Sequence, residues 1–113
     1  MDYIKINEED YPITVNMNVY AAIIDHTGLK LTDIFKLHDV MKMSDVLYFI
    51  WASVKEGCRI EKRAYELTVE DVGAGADAAT IAEFYKIFIK SQTPADGKDG
   101  KKKVTPERAA KSQ

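Results

Sequence analysis

The chain is poor in cysteine and has no long apolar run. Its 113 residues include one cysteine, Cys58, so no internal disulfide can form, and no CxxC or Cys/His spacing points to a zinc or redox site. No apolar run approaches the roughly 20 residues that span a bilayer, and the N-terminus lacks a basic stretch followed by an apolar one. These absences predict a soluble protein in a reducing cytoplasm, without a membrane segment.

Basic residues are scarce in the part of the chain that is predicted to fold. Before Thr93 the chain has ten Lys/Arg residues against fifteen Asp/Glu, and from Thr93 onward it has six against three. Proteins that bind nucleic acid normally present a basic face to the phosphate backbone. The acidic body therefore argues against nucleic acid binding, and only the basic tail leaves room for it.

Residues that could carry catalytic or metal chemistry are few and isolated. His26 and His38 have no further ligand at metal spacing, and no general base accompanies Cys58 in the sequence. The glycine-rich residues 73–75 lack the lysine-serine ending of a phosphate loop. The acidic pairs at 8–9 and 70–71 fall in a turn and at a helix start, where carboxylates are favoured. We therefore expect no enzyme activity and no catalytic, cofactor-binding or metal site.

Two short segments at the N-terminus alternate with the period of a strand. Residues 2–6 and 11–15 flank the polar residues 7–10, which predicts a β-hairpin with a four-residue turn. Pro12 cannot donate a ladder hydrogen bond, so its strand should be an edge strand or have a free side. An isolated hairpin is marginally stable in water, and this one must therefore pack on helices.

Capping residues and helical spacing mark the helices that follow. Predicted helix starts lie at Asn16 or Asn18, Thr32, Ser44 and Thr68, and a last helix covers about residues 77–91. The first helix should end near His26 before Gly28, and the most apolar one should run from Ser44 to Gly57. Residues 59–67 are predicted to form a loop, with a second small hairpin as the alternative. The predicted fold class is α+β, mainly α, with an N-terminal β-hairpin packed on a small bundle of four or five helices.

The domain organisation follows from the composition. Residues 1–92 are predicted to form a single helical domain with the hairpin at its start. Residues 93–113 contain prolines, glycines and a lysine triplet at 101–103 but almost nothing apolar, which predicts a disordered basic tail.

Aromatic side chains are concentrated on the two most apolar helices. Such residues commonly form the core, but two apolar helices carry more hydrophobic surface than a core of this size covers. A partner groove or a self-association surface therefore stands beside the core interpretation. The candidate partner-binding residues are Tyr48, Trp51, Phe84, Tyr85 and Phe88.

The order of these elements resembles a known family. The sequence opens with residues 3–6 (Tyr-Ile-Lys-Ile) and 11–13 (Tyr-Pro-Ile), continues through a helix ending at Gly28, and reaches residues 67–72 (Leu-Thr-Val-Glu-Asp-Val) after the apolar helix. This order, over residues 2 to about 90, resembles the short tail assembly chaperones of long-tailed bacteriophages and prophages. The glycine-interrupted residues 73–76 depart from it, since a continuous acidic helix is expected there.

The resemblance implies a non-enzymatic, mostly helical protein in the host bacterial cytoplasm. Members of this family bind the tape measure protein and keep it soluble while tube subunits polymerise, and they are absent from the mature virion. Many also exist in a longer frameshifted form that recruits the tail tube protein. Residues 97–103, rich in glycine and lysine, are of the kind that slippery purine-rich codons encode, so such a form is a hypothesis here.

Two other functions remain open from the sequence. A structural tail completion component would use the same apolar faces permanently, and its presence in purified particles would distinguish it. A small DNA-binding regulator would use the helices from Thr32 and Ser44 as a helix-turn-helix. The second of these helices offers Asp45 and Trp51 and only Lys55 near its end, which is a poor recognition face.

Overall fold

The computed structural model describes residues 1–36 and 41–92 of the chain. In these residues a two-stranded antiparallel hairpin comes first and five helices follow it. The elements are β1 (Asp2–Ile6), β2 (Glu9–Ile13), α1 (Met17–Thr27), α2 (Leu31–Ile34), α3 (Met43–Glu61), α4 (Val69–Gly75) and α5 (Ala78–Ser91). The predicted α+β, mainly α fold class is confirmed. Leu37, His38 and the tail 93–113 lie outside the described residues.

The hairpin turn is tighter than the sequence predicts. Ile6 pairs with Glu9, so only Asn7 and Glu8 form the turn, and the four-residue turn is corrected. Both turn residues have left-handed backbones, with φ of 53° and 64°. Two successive left-handed residues match the type I′ turn, whose twist suits a two-residue hairpin. Asn tolerates this conformation well, whereas Glu8 adopts it at a cost.

Each edge of the hairpin has one backbone carbonyl that accepts a hydrogen bond from elsewhere in the domain. In a hairpin with a two-residue turn the pairs alternate, so Pro12 opposite Tyr3 occupies a pair that needs no ladder hydrogen bond. On the edge of β1, the Thr80 hydroxyl donates to the carbonyl of Lys5 at 3.0 Å. On the edge of β2, Arg63 donates to the carbonyl of Asp10 at 2.7 Å. Each contact occupies one outward-facing carbonyl that an added strand would need.

Helix α1 begins and ends where the sequence predicts. Asn16, and not Asn18, is the N-cap, because its side-chain oxygen accepts from the backbone N–H of Val19 at 3.3 Å. Gly28 ends the helix with a φ of 76° and donates its backbone N–H to the carbonyl of Ile24. A left-handed glycine after the last turn is a common helix stop.

The starts of α2 and α3 correct the prediction by two residues each. The N-caps are Lys30 and Lys42, so Thr32 and Ser44 lie inside their helices. For α2, the carboxylate of Asp33 accepts from the backbone N–H of Lys30 at 3.1 Å, which replaces a threonine cap. For α3, Asp45 supplies the negative charge that the first turn of a helix favours.

Helix α3 is longer than predicted and passes through Gly57 to Glu61. Gly57 is not a helix end but a crossing point, since a Cβ placed there would lie 2.7 Å from the backbone nitrogen of Ile13. The absence of a side chain lets β2 lie directly on the helix. The backbone N–H of Thr14 also donates to the carbonyl of Ser53 at 3.1 Å. The helix ends instead at Lys62, whose φ is 59°.

Residues 62–68 join α3 to α4 without a strand, so the alternative of a second hairpin is wrong. The start of α4 is confirmed: the Thr68 hydroxyl accepts from the backbone of Asp71 at 3.1 Å, and the Asp71 carboxylate accepts from the backbone of Thr68 at 2.9 Å. Asp77 and Thr80 cap α5 in the same reciprocal way. The predicted last helix is therefore confirmed, with Asp77 as its N-cap.

The hairpin and the helices share one hydrophobic core. Its centre is aromatic, because the ring of Phe49 on α3 lies 5.1 Å from that of Phe84 and 5.3 Å from that of Phe88. Edge-to-face ring pairs at such distances contribute beyond the area that they bury. The hairpin adds the buried side chains of Ile4, Ile6 and Ile13. The core thus holds α3 between the hairpin, α1 and α5.

Candidate functional site

A surface groove runs between α1 and α3, and we call it the α1/α3 groove. Its volume is about 260 Å³. It is lined by Asn18, Val19 and Ala22 from α1 and by Tyr48, Trp51, Ala52, Lys55, Glu56 and Arg59 from α3. Two of the predicted partner-binding residues, Tyr48 and Trp51, therefore lie in one groove.

The groove forms because the two helices are antiparallel and meet through small side chains. Asn18 near the start of α1 bonds to Glu56 late in α3, and His26 near the end of α1 lies beside Asp45 early in α3. Between these points Ala22 and Ala52 leave a shallow floor, and the larger aromatic side chains stand beside it. The groove is thus a stripe along both helices, with an apolar floor.

The indole of Trp51 is held in place from two sides. Its Nε1–H donates to the backbone carbonyl of Leu67 at 2.7 Å, and its ring lies 6.1 Å from that of Tyr65. The ammonium of Lys55 lies 5.1 Å from the centre of the indole, within the range of a cation–π contact. Since its polar atom is already satisfied, the indole offers the groove an apolar surface in a fixed position.

Tyr48 forms the wall at the other end of the groove. Its ring stacks on that of His26, with centroids 3.7 Å apart and planes within 2° of parallel. Its ring centroid is also 5.5 Å from that of Trp51. His26 in turn lies 3.8 Å from the carboxylate of Asp45, near the start of α3. His26 is exposed at the surface, where its ring supports the Tyr48 wall.

A buried carboxylate lies at the basic end of the groove. Glu56 is only 7% exposed, and its oxygens accept from Asn16 at 2.8 Å, from Asn18 at 2.9 Å and twice from Arg59 at 2.8 Å. The Arg59 guanidinium, supported by the two asparagine amides, outweighs burial and holds the pKa of Glu56 at about 2, below its ordinary 4.5. The cluster therefore fastens the start of α1 to α3 and fixes the geometry of the groove.

The other predicted partner-binding residues do not share this groove. Phe84 is 0% exposed and Phe88 3%, so both belong to the core, and their place in the predicted partner-binding set is corrected. They are buried because the α5 stripe faces Phe49 and the hairpin rather than solvent. Tyr85 is half-buried against that core and does not line the groove.

The remaining candidate residues have structural surroundings. Cys58 is buried, and desolvation raises the pKa of its thiol. Of the acidic pairs, Asp71 caps α4, and Glu9 forms a 2.6 Å ion pair with Arg63. The glycine-rich residues 73–75 are the last turn of α4. Among the described residues, no group of three or more His, Cys, Asp or Glu side chains is placed to hold a metal ion.

Several groove residues were missed by reading the sequence. Ala22, Glu56 and Arg59 were not singled out, and Lys55 was considered only as part of a DNA-recognition face, because alanines and exposed cations carry no specific signal. One signal was available: Glu56 is the only acidic residue between Val46 and Cys58, and an arginine follows three residues later. An acid in an apolar helix with a basic residue at i+3 is typical of a buried, paired carboxylate.

The groove offers shape and fixed apolar surface rather than reactive groups. In residues 1–36 and 41–92, no helix has both the length and the apolar character needed to cross a bilayer. Comparison of the chain with protein-family models, with curated proteins and with solved structures finds no match.

Proposed function

We propose that this protein is a non-enzymatic tail assembly chaperone that binds a helical segment of a phage tape measure protein in the α1/α3 groove. The observation that carries the proposal is the pairing of two fixed aromatic side chains, Tyr48 and Trp51, with the alanine floor formed by Ala22 and Ala52. Such a surface accepts apolar side chains without rearrangement, which lowers the entropy cost of binding.

The shape of the groove favours a helix as its occupant. From Tyr48 to Arg59 the groove follows about three turns of α3, or roughly 17 Å. The backbone groups of α1 and α3 are used within the helices, so a strand could not pair with them. On the hairpin edges, Thr80 and Arg63 already bond to the carbonyls of Lys5 and Asp10. A third helix packing along two antiparallel helices satisfies its own backbone and contributes only side chains.

The identity of the partner is supported by the resemblance to tail assembly chaperones. A tape measure protein awaiting its tube is a long helical chain with apolar faces that would otherwise aggregate. A groove with half-buried aromatic walls covers such a face over a few turns, and several copies would cover a longer stretch. The modest size of each contact suits a chaperone that leaves when tube protein arrives.

Co-expression with the candidate tape measure protein tests the proposal. The wild-type chain should keep that protein soluble and copurify with it. Ala22→Arg should abolish both effects by filling the groove from its floor. Ala21→Arg is the matched control, because Ala21 is exposed on the same helix and does not line the groove. Circular dichroism should show that both variants fold.

The opposite results are equally informative. Tape measure protein that stays insoluble with the wild-type chain would contradict this function. Equal solubilisation by Ala22→Arg would contradict the α1/α3 groove as the binding site. Detection of the chain in purified particles would instead favour a structural tail component.

A further inference from the structure

We propose that the α1/α3 groove selects amphipathic helices that carry an acidic residue one turn from their apolar anchor, with Lys55 as the residue that recognises the acid. This inference rests on the proposed use of the groove for a helical partner, and it adds the chemistry of that partner and its placement in the groove.

The charge of the groove is concentrated at one end. Its lining contains two cations, Lys55 and Arg59, and one carboxylate, Glu56. Arg59 is engaged by Glu56 through two 2.8 Å hydrogen bonds. Lys55 is exposed and, within the described residues, has no carboxylate partner; its ammonium lies above the Trp51 ring. The net charge available to a ligand is therefore positive and is located on Lys55.

The distance between the floor and this cation sets the position of the acid. Ala52 and Lys55 are three residues apart on α3, so the cation lies about one helical turn beyond the floor. An apolar side chain of the partner that rests on Ala22 and Ala52 would bring a Glu or Asp three or four positions away to Lys55. An exposed cation–π contact is weak enough for the ammonium to leave the indole for a carboxylate.

The size of the groove fits side chains rather than a free small molecule. Its volume of about 260 Å³ falls below the roughly 300–1,000 Å³ of typical small-molecule pockets. Its lining extends from Tyr48 to Arg59 along α3, which suits a continuous segment. An acidic amphipathic helix has both features that complement the groove, which are a row of apolar side chains and a negative charge at the Lys55 end.

Peptide binding measured through Trp51 tests the proposal on the full chain. Trp51 is the only tryptophan, so its fluorescence reports on the groove alone. Three roughly 18-residue helical peptides would share one leucine and alanine stripe and carry Glu, Gln or Lys four residues from the central leucine. At low ionic strength the Glu peptide should bind the wild-type chain about three- to tenfold more tightly than the Lys peptide.

Charge reversal identifies the residue responsible. In Lys55→Glu the order of the peptides should invert, with the Lys peptide binding most tightly. Lys36→Glu changes the net charge equally at an exposed position outside the groove lining, and it should keep the wild-type order. Equal binding of all three peptides, absence of binding by any of them, or an unchanged order in Lys55→Glu would overturn the proposal.

A second copy of the chain is the competing occupant. Sedimentation of the chain alone would reveal it, since self-association that disappears in Ala22→Arg would assign the groove to a dimer and overturn the proposal. The two proposals fail differently. Solubilised tape measure protein with equal peptide affinities removes only the acid selection, whereas acid-selective peptide binding without an effect on tape measure protein removes only the chaperone function.

Discussion

The indole of Trp51 on α3 donates a 2.7 Å hydrogen bond to the backbone carbonyl of Leu67, sixteen residues later in the chain. The bond holds the segment after α3 against that helix and fixes one wall of the α1/α3 groove. In the other direction, the Tyr65 hydroxyl donates to the backbone carbonyl of Trp51 at 3.2 Å. The two hydrogen bonds therefore hold the Trp51 wall of the groove against residues 65–67.

Replacing Trp51 with Phe should destabilise the protein by about 1–3 kcal/mol, because the carbonyl of Leu67 loses its donor in a partly buried place and the indole packing is reduced. Urea unfolding followed by circular dichroism would measure the change. Tyr48→Phe is the control, since no hydrogen bond of the Tyr48 hydroxyl occurs within the described residues. It should change the free energy of unfolding by less than about 0.5 kcal/mol. Equal effects would argue against a structural role for the Trp51–Leu67 bond.

The Glu56 cluster predicts a pH dependence of stability. The pKa of Glu56 is about 2 in the folded protein and 4.5 ordinarily. A lowered pKa means that the stabilisation is present in full above about pH 4.5 and is lost as the pH falls toward 2. Glu56→Gln should cost about 1–3 kcal/mol at pH 7, and the difference from wild type should shrink between pH 4.5 and 2. Urea unfolding at several pH values measures it, and a difference that stays constant would contradict the assignment.

The crossing of β2 over α3 leaves no room for a side chain at Gly57. Alanine normally favours a helix over glycine by about 1 kcal/mol, but at this position its Cβ would lie 2.7 Å from the backbone nitrogen of Ile13. Gly57→Ala should therefore destabilise the protein by at least about 2 kcal/mol. At Gly73 the nearest atom to a Cβ is the flexible Leu47 Cδ1 at 3.2 Å. Gly73→Ala should be neutral or slightly stabilising. Thermal unfolding would measure both variants, and an equal loss of stability in the two would contradict this account.

The hairpin turn contains strain that a single substitution can remove. Glu8 has a φ of 64°, which costs a residue with a Cβ about 1–2 kcal/mol. Glu8→Gly should stabilise the protein by about 0.5–1 kcal/mol, because the relief exceeds the entropy that glycine loses on folding. For a domain of this size the melting temperature should rise by a few degrees. Glu8→Ala keeps a Cβ and should give no such rise; a similar gain from alanine would show that the charge, and not the backbone, is responsible.

Prediction from the sequence succeeded where the signal is contained within one turn of chain. Asn16, Gly28 and Thr68 were identified as helix boundaries because each cap joins groups no more than a few residues apart. It failed at Gly57, which looked like a helix end. The helix continues through this position, and the residue is a glycine because β2, more than forty positions earlier in the chain, packs directly against it.

The candidate site was only half predictable for the same reason. Tyr48 and Trp51 were chosen with Phe84 and Phe88 because all four are aromatic residues on apolar helices. Burial separates them, and burial depends on which faces the hairpin, α1 and α5 cover.

The sequence by itself determined the α+β class, the N-terminal hairpin and most helix boundaries, since backbone hydrogen bonds and caps act over a few residues. Only the tertiary structure decided which apolar faces are buried, how far α3 extends and where the groove opens. Glu56 shows why, because its carboxylate is held by Asn16, forty residues away along the chain. Contacts of that kind arise from packing between elements, and no local pattern encodes them.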